Sequence, residues 1–328
     1  MTTNDLPVPA DLGNGIHIVP LPLPFRSPPW VNSYAIEADG GLFLIDCGAD
    51  WPDGREALRE GLTRLGLDES AIHTLLVSHL HPDHVGMADR LREDLGCRVV
   101  MHERAEQGRL ASYNDTPGFL SKLKKVALEH GAPAPAVERA ASGPRPDYMP
   151  ILDAPDNVVA DGDQIDLGNG RHLAVLHTPG HDDAHICLRD SRTDILFSGD
   201  HILPRISPVV MYDPGIPDVL GDYMGSLQRL IDLGIGVTYP AHGTLIPRGG
   251  ERAYQILLHH ERRLVDMAEL VRRRDTNAFE VMLASFRPNL DPLQTRLALL
   301  ETIAHLEHLT LDGKILSAVR EGIVTYTR

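Results

Sequence analysis

The chain has 328 residues, of which 42% are hydrophobic and 23% are charged. This composition is typical of a folded soluble protein and excludes a largely disordered chain, a coiled-coil rod or a collagen-like repeat. The formal net charge of -15 creates a field that repels polyphosphates. Nucleic acid is therefore not an expected partner.

The cysteines and the start of the chain indicate the cellular compartment that we expect for the protein. Cys47, Cys97 and Cys187 lie far apart and form no CxxC pair, so we predict neither a disulfide scaffold nor a thiolate zinc site. The proline-rich start lacks the charged and apolar regions of a signal peptide, and no apolar run approaches the roughly 20 residues that span a bilayer. We expect a cytoplasmic protein without a membrane span.

The first hundred residues alternate between strand and helix patterns. Short apolar or β-branched runs predict strands, at 16–19, 33–37, 42–46, 72–77 and 98–102, and helical periodicity predicts helices at 53–65 and about 85–95. The first three strands are expected to form an antiparallel meander. The alternation as a whole indicates an α/β layer architecture.

Residues 103–150 have a less regular sequence pattern than the rest of the chain. A helical stretch at 120–130 precedes a loop that contains Pro133, Pro135, Pro144, Pro146 and Pro150. A long irregular connection is typical of a lid or binding loop. Its apolar side chains suit the wall of a small-molecule pocket: Leu110, Tyr113, Phe119, Leu120 and Leu123. We expect this lid-like insertion to select the substrate without supplying a metal ligand.

Strand patterns return after the insertion, and helices dominate the end of the chain. The predicted strands are 164–167, 173–177, 184–189, 195–198 and 236–239, with a helix at about 223–233. Three helical stretches follow at 251–274, 276–285 and 293–311, before a hairpin at 314–328 that turns near Glu321 and Gly322. This order resembles a winged helix. We predict a main domain at 1–250 and a winged-helix-like C-terminal domain at 251–328.

The charge of the predicted C-terminal domain bears on its role. Residues 251–328 contain 11 basic and 11 acidic residues, a balance of zero. A DNA-reading module would carry a basic face. We therefore expect a structural or dimerisation role for this part of the chain, and a possible homodimer.

The strongest chemical signal is the string HxHxDH, formed by residues 79–84. Residues i and i+2 of an extended segment project the same way, so His79 and His81 can chelate one ion. A turn at the intervening proline frees Asp83 and His84 to face a second ion. Imidazole and carboxylate are ligands that Zn²⁺, Fe and Mn²⁺ accept without a thiolate.

Three further polar residues follow predicted strands. His181 ends the string TPGH, Asp200 ends SGD, and His242 lies in AHG. Each one alone is more typical of a turn residue than of a ligand. Beside HxHxDH, each on its own strand-end loop next to glycine, they predict a metal centre.

With these motifs the sequence resembles the metallo-β-lactamase-fold hydrolases over roughly residues 15–250, and the match includes Asp46 in the string LIDCG. The resemblance implies an αββα sandwich with the site at one edge of the paired sheets. It implies two divalent metal ions, Zn²⁺ first, with Fe or Mn²⁺ as alternatives. The implied ligands are His79, His81 and His181 for the first ion, Asp83, His84 and His242 for the second, and Asp200 as the bridge. The tail resembles the winged-helix-like extension of one branch.

Two metal ions close together lower the pKa of a shared water to near 7 and polarise an electrophilic oxygen. We expect hydrolysis by a bridging hydroxide, with Asp83 and Asp200 as the catalytic carboxylates and with Tyr212 and Tyr223 as substrate contacts. The acidic charge and the apolar insertion favour a small acyl substrate, namely a thioester, lactone or ester. The first alternative is a metal-dependent phosphodiesterase or endoribonuclease. The second is a non-catalytic metal-binding or redox protein.

One departure from the usual family pattern follows TPGH. Asp182 and Asp183 come directly after the predicted ligand, which places two extra carboxylates near the metal. They are expected either to be outward-facing loop charges or to orient His181 or His185 by hydrogen bonding.

Overall fold

The computed structural model describes residues 6–25, 27–141 and 151–328. Within this part of the chain, the strands form two mixed sheets and a separate hairpin. The helices are α1 (Pro52–Arg64), α2 (Pro82–Val85), α3 (Ala88–Leu95), α4 (Ala105–Gly108), α5 (Thr116–Glu129), α6 (Ala134–Ala141), α7 (Val219–Asp232), α8 (Gly249–Arg273), α9 (Ala278–Ser285) and α10 (Pro292–Leu311). None of these helices is both long and apolar enough to cross a membrane.

The first sheet begins as the predicted meander and continues with parallel strands. Its strands, in spatial order, are β1 (Ala10–Asp11), β2 (Ile16–Pro22), β3 (Trp30–Ala38), β4 (Gly41–Ile45), β5 (Ile72–Leu76), β6 (Arg98–His102) and β7 (Asn157–Val159). Pairing is antiparallel from β1 to β4 and parallel from β4 to β7. The carboxyl ends of β4 and β5 therefore meet at one edge of the sheet.

The second sheet contains the strands predicted after the insertion. In sequence order they are β8 (Gln164–Gly168), β9 (Arg171–His177), β10 (Ile186–Asp190), β11 (Leu196–Gly199) and β12 (Thr238–Pro240). Neighbours from β8 to β11 run antiparallel, and β12 pairs parallel to β11. The carboxyl ends of β11 and β12 thus lie together, as do those of β4 and β5.

The two sheets pack face to face between layers of helices. Side chains of both sheets fill the interface between them, including Phe43 and Ile45 of β4 and Phe197 of β11. Leu58 of α1 packs in the core outside the first sheet, and Leu227 of α7 packs in the core outside the second. This layering is the expected αββα sandwich.

The proline-rich part of the insertion is partly helical, where the sequence predicted a loop. Helix α6 begins just after Pro133 and carries Pro135 in its first turn. Proline is tolerated in a first turn because the amide hydrogen it lacks would have no partner within the helix. The other prolines of the predicted loop lie outside the described residues: Pro144, Pro146 and Pro150.

The end of the chain follows the predicted order of three helices and a hairpin. The hairpin pairs β13 (Leu316–Arg320) with β14 (Ile323–Thr327). Its turn uses Glu321 and Gly322 with φ of 51° and 80°, a left-handed conformation that matches the twist of the flanking strands. The tail shares one hydrophobic core with α5, α6 and α7. The domain boundary near residue 250 stays a prediction. The parts of the chain before and after this position pack together in the shared core.

Candidate metal centre

The structure brings all seven predicted ligands together at the edge where the strands of both sheets end. They form two groups, and within each group the potential ligand atoms lie within 4.8 Å of one another. One group consists of His79, His81, His181 and Asp200, and the other of Asp83, His84 and His242. The segments after β5, β9, β11 and β12 supply these residues, and Asp83 and His84 lie in the short helix α2.

Asp200 lies between the two groups. Its Oδ2 is 3.7 Å from Nε2 of His181. Its Oδ1 is 3.6 Å from Nε2 of His84 and 3.3 Å from Nε2 of His242. The two oxygens of this carboxylate therefore face different groups of ligand atoms.

Three of the imidazoles are oriented by oxygen atoms behind them. The contacts of Nδ1 are with Asp46 Oδ2 for His84 (2.8 Å), with the Val209 carbonyl for His181 (2.8 Å) and with the Trp30 carbonyl for His242 (2.7 Å). Because these oxygens accept hydrogen bonds, each Nδ1 donates, and each ring presents a lone pair at Nε2 to the cluster when it is neutral. This arrangement fixes the tautomer that a metal ligand needs.

The other two histidines of the cluster present different atoms. His81 Nδ1 is 3.0 Å from His181 Nε2, so these two nitrogens converge on one point. His79 Nδ1 is 3.0 Å from the Ser78 hydroxyl, which leaves Nε2 of His79 facing the cluster. The pair at i and i+2 therefore presents opposite ring nitrogens to the cluster, Nε2 of His79 and Nδ1 of His81.

Asp46 is a supporting residue for which the sequence motif predicted no role. Its carboxylate accepts hydrogen bonds from the Ser78 amide (2.7 Å) and the Ser78 hydroxyl (2.8 Å) as well as from His84. The residue is only 2% exposed. Asp46 therefore joins the loop after β4 to the HxHxDH loop after β5.

The residues present fit two divalent cations. Four buried atoms of the cluster make no hydrogen bond within the described part of the chain: His79 Nε2, His84 Nε2, His242 Nε2 and Asp200 Oδ1. Buried polar atoms are rarely left without a partner, because their desolvation is then uncompensated. Nitrogen and carboxylate donors without a thiolate suit Zn²⁺, Fe or Mn²⁺.

The electrostatics of the cluster also favour bound cations. Burial lowers the pKa of His79 well below its ordinary value and that of His81 to about 3, so both rings are neutral. Burial disfavours the ionised form of Asp83, but neighbouring histidines outweigh it and hold the pKa at about 2. Burial also opposes protonation of His84, yet Asp46 and the other nearby carboxylates raise its pKa well above the ordinary value. The local field thus stabilises positive charge.

His185 holds the backbone of Asp200 in place, a role that the sequence motifs did not predict. Its Nε2 accepts a hydrogen bond from the Asp200 amide (3.2 Å), and its Nδ1 lies 2.8 Å from the Thr178 hydroxyl. A Cβ added at Gly199 would lie 2.6 Å from Nε2 of His185. Glycine is therefore required for this ring to approach the strand end that carries Asp200.

The carboxylates of the two acidic residues after TPGH make no hydrogen bond to the ring of His181 or His185. Asp183 pairs with Arg104 at 3.0 Å, and the Asp182 carboxylate accepts a hydrogen bond from the Ala184 amide at 2.8 Å. The alternative in which they support a ligand ring is wrong. Asp182 stabilises its own turn, and Asp183 is a partly exposed loop charge.

The two predicted substrate contacts have different surroundings. Tyr223 is fully buried, and its hydroxyl donates to the His201 carbonyl at 2.8 Å. The prediction that it contacts substrate is therefore wrong, because this hydroxyl is already engaged inside the core. Tyr212 is partly buried and its backbone amide donates to the Leu300 carbonyl of α10 at 3.2 Å. A substrate contact by Tyr212 stays a prediction.

The insertion contacts the metal-binding motif directly. Tyr113 is buried, and its hydroxyl donates to the carbonyl of Leu80, between the first two histidines of the motif. Its predicted place in a pocket wall is wrong. Leu120 and Leu123, in contrast, help to line an open apolar pocket between α5, α6, α9 and α10. The segment thus combines a support for the site with a pocket wall.

Comparison with known proteins defines the class. The family described as the metallo-beta-lactamase superfamily matches residues 31–242. A second family, described as the metallo-beta-lactamase-like C-terminal domain, matches residues 264–328. The chain belongs to the metallo-β-lactamase superfamily and is a hydrolase of that class.

Individual relatives cover most of the chain. A probable metallo-hydrolase of Bacillus subtilis, YqjP, is 26% identical over 298 residues, which is 87% of this chain and 89% of the relative. The acyl-coenzyme A thioesterase MBLAC2 of Homo sapiens is 43% identical over 219 residues, 62% of this chain and 67% of the relative. The crystal structure of a metallo-beta-lactamase family protein from Thermus thermophilus is 31% identical, with a TM-score of 0.82, and covers 97% of this chain and 100% of that one.

Proposed function

We propose that the protein hydrolyses a small acyl substrate, with thioesters first, at a centre of two divalent metal ions. The position of Asp200 carries this proposal, because its two oxygens face two separate groups of ligand atoms. A carboxylate in this position can hold two cations at a fixed separation. Neither a serine nor a cysteine nucleophile is then required.

The residues have distinct roles in this proposal. His79, His81 and His181 hold one ion, and the group of Asp83, His84 and His242 holds the other. When bound, the ions supply an activated water and polarise the scissile carbonyl. The lowered pKa of Asp83, about 2, keeps its carboxylate ionised at neutral pH. Its oxygens are then available to hold a cation.

The names of relatives support an acyl thioester as the substrate class. Relatives in Homo sapiens and Bos taurus, 43% and 35% identical, are named acyl-coenzyme A thioesterases. The net charge of -15 disfavours a polynucleotide substrate and therefore favours a small molecule over a nucleic acid.

Metal analysis combined with a substrate panel tests this function. We expect two ions per chain and faster turnover of acyl thioesters than of lactones, aryl esters and phosphodiesters. The Asp200→Ala variant should lose activity on every substrate, whereas Asp266→Ala, which removes an exposed carboxylate on α8, should match the wild type. Preferred turnover of phosphodiesters would contradict the proposal and support the nuclease alternative.

A further inference from the structure

Two buried histidines of the tail belong to a chain of hydrogen bonds between helices. His305 of α10 places Nδ1 2.7 Å from the Glu301 carbonyl and Nε2 3.1 Å from Nδ1 of His260 on α8. His260 Nε2 lies 3.0 Å from the Ser207 hydroxyl. Both histidines have 0% exposure. This series of hydrogen bonds therefore runs from the middle of α10, through α8, to the loop after Asp200.

The hydrogen bonds of this chain have one direction. The Glu301 carbonyl can only accept, so His305 donates from Nδ1 and, when neutral, accepts at Nε2. His260 therefore donates from Nδ1 and accepts at Nε2 from the Ser207 hydroxyl. Burial lowers the pKa of His260 to about 2 and that of His305 to about 3, which keeps both rings neutral. Each ring nitrogen of these two histidines thus has a hydrogen-bond partner.

The loop that receives this chain also orients a predicted metal ligand. Ser207 is two residues from Val209, whose carbonyl accepts the hydrogen bond from Nδ1 of His181. The position of this carbonyl determines where Nε2 of His181 faces. A displacement of the loop would therefore rotate or release one ligand of the first group.

A second side chain of α8 holds the same loop. Arg252 donates from Nε to the Leu203 carbonyl at 2.7 Å and from a terminal nitrogen to the Ile206 carbonyl at 3.0 Å. With His260, helix α8 thus contacts the loop at three positions, residues 203, 206 and 207. The tail is in this way mechanically connected to the edge of the sandwich that carries the metal ligands.

We propose that His260 is a positioning residue for the metal centre, which holds the Ser207–Val209 segment and thereby the His181 ring. The inference rests on the metal centre of the proposed function and deepens it. His181 belongs to the group with His79 and His81, whereas the ring of His242 is oriented by the Trp30 carbonyl, outside this loop. Loss of His260 therefore weakens one metal position more than the other.

Metal titration of single variants tests the inference without using catalytic activity. Ser207→Ala and His260→Phe interrupt the chain, His260→Gln retains a donor and an acceptor, and His259→Gln changes the adjacent, less buried histidine. Zn²⁺ binding is measured against a competing chelator, with Co²⁺ absorption spectra to report the ligand geometry. We expect about a tenfold loss of affinity at one position in the first two variants. The loss should be smaller in His260→Gln and absent in His259→Gln.

The outcomes separate this inference from the function itself. Wild-type affinity at both positions in folded Ser207→Ala and His260→Phe proteins would overturn it, as would an equal loss at both positions. If His260→Phe does not fold, Ser207→Ala decides, because it removes a single oxygen. A wild-type protein that binds fewer than two ions would overturn the dinuclear centre and this inference together. Absence of thioester turnover would contradict the substrate class alone.

Discussion

Two aspartates, Asp200 and Asp46, organise the edge of the sandwich where the predicted metal ligands lie. Asp200 follows β11 and is held by the His185 ring at its amide, while its carboxylate lies between two clusters of histidine nitrogens. Asp46 acts behind the cluster, where it accepts three hydrogen bonds. Asp200 thus lies between the two groups of predicted ligands, and Asp46 fixes the loop that carries the HxHxDH motif.

Replacement of the bridging carboxylate should remove metal and activity together. In Asp200→Ala we expect fewer than two ions per chain and a decrease in kcat/KM of at least about 100-fold, the size of effect seen when one stabilising group of an active site is lost. Elemental analysis and steady-state kinetics measure the two quantities. Two retained ions with near-normal turnover would contradict the bridging role.

Replacement of the supporting carboxylate should act on one ligand. In Asp46→Asn the amide nitrogen can no longer accept from His84 or Ser78, so the His84 tautomer is less well fixed. Loss of such a partner typically costs about 10- to 100-fold in metal affinity. Chelator competition measures the change, with Asp266→Asn as the exposed control. An unchanged affinity would show that Asp46 only stabilises the loop.

Among the elements, the insertion has two roles. Its α5 and α6 pack against α10 and line the apolar pocket. Its π-helical turn at Arg109–Asn114 carries Tyr113 to the Leu80 carbonyl. The insertion therefore cannot be shortened freely, because part of it supports the metal-binding motif.

Removal of the Tyr113 hydroxyl tests this support. Tyr113→Phe keeps the ring but removes the donor to the Leu80 carbonyl, which should lower the free energy of unfolding by about 1 to 3 kcal/mol. Urea denaturation measures the change, and Tyr254→Phe provides a control at a tyrosine that is 52% exposed. We also expect weaker metal binding in Tyr113→Phe. Equal stability of the two variants would contradict the inferred support.

At the scale of the whole molecule, buried neutral histidines make stability depend on pH. Burial lowers the pKa of His130 to about 4, that of His260 to about 2 and that of His305 to about 3. Unfolding returns these rings to an ordinary pKa near 6.5, so the unfolded chain binds more protons below that pH. The contribution of these three histidines to stability is therefore greatest above about pH 6.5 and decreases as the pH falls toward their folded-state pKa values.

This dependence can be measured on the metal-free protein. Between about pH 6.5 and 4.5 we expect the free energy of unfolding to fall, with a limiting slope of about 1.4 kcal/mol per pH unit for each histidine that stays neutral only when folded. His305→Gln should have a shallower slope than His259→Gln. A free energy of unfolding that is constant across this interval would contradict the prediction.

The charge of the tail gives a second prediction for the whole molecule. Residues 251–328 contain equal numbers of acidic and basic residues, so we expect weak binding of RNA and DNA without steep salt dependence. Binding of the full chain to labelled nucleic acid between about 50 and 200 mM salt measures this. Submicromolar binding with a steep salt slope would contradict it. The possible homodimer also stays a prediction, which sedimentation would test.

Local chemistry accounts for the features that the sequence predicted correctly. The HxHxDH spacing places ligands through the alternation of an extended segment and a proline turn. The hairpin turn at Glu321 and Gly322 follows from the left-handed conformation that glycine adopts readily. Apolar periodicity, which is itself local, predicted the meander and an α/β layer architecture. The αββα sandwich and the class of protein were implied by the resemblance that the metal-binding motifs carry.

The surroundings of these residues depend on contacts between distant parts of the chain. The carbonyl groups of Val209 and Trp30 orient two ligand rings, but a main-chain carbonyl occurs at every residue and leaves no sequence signal. Burial decided that Tyr223 faces the core, and packing between α8 and α10 aligned His260 with Ser207. Such contacts join residues far apart in the chain, and they form because the two sheets and the tail close over a shared core that no local pattern describes.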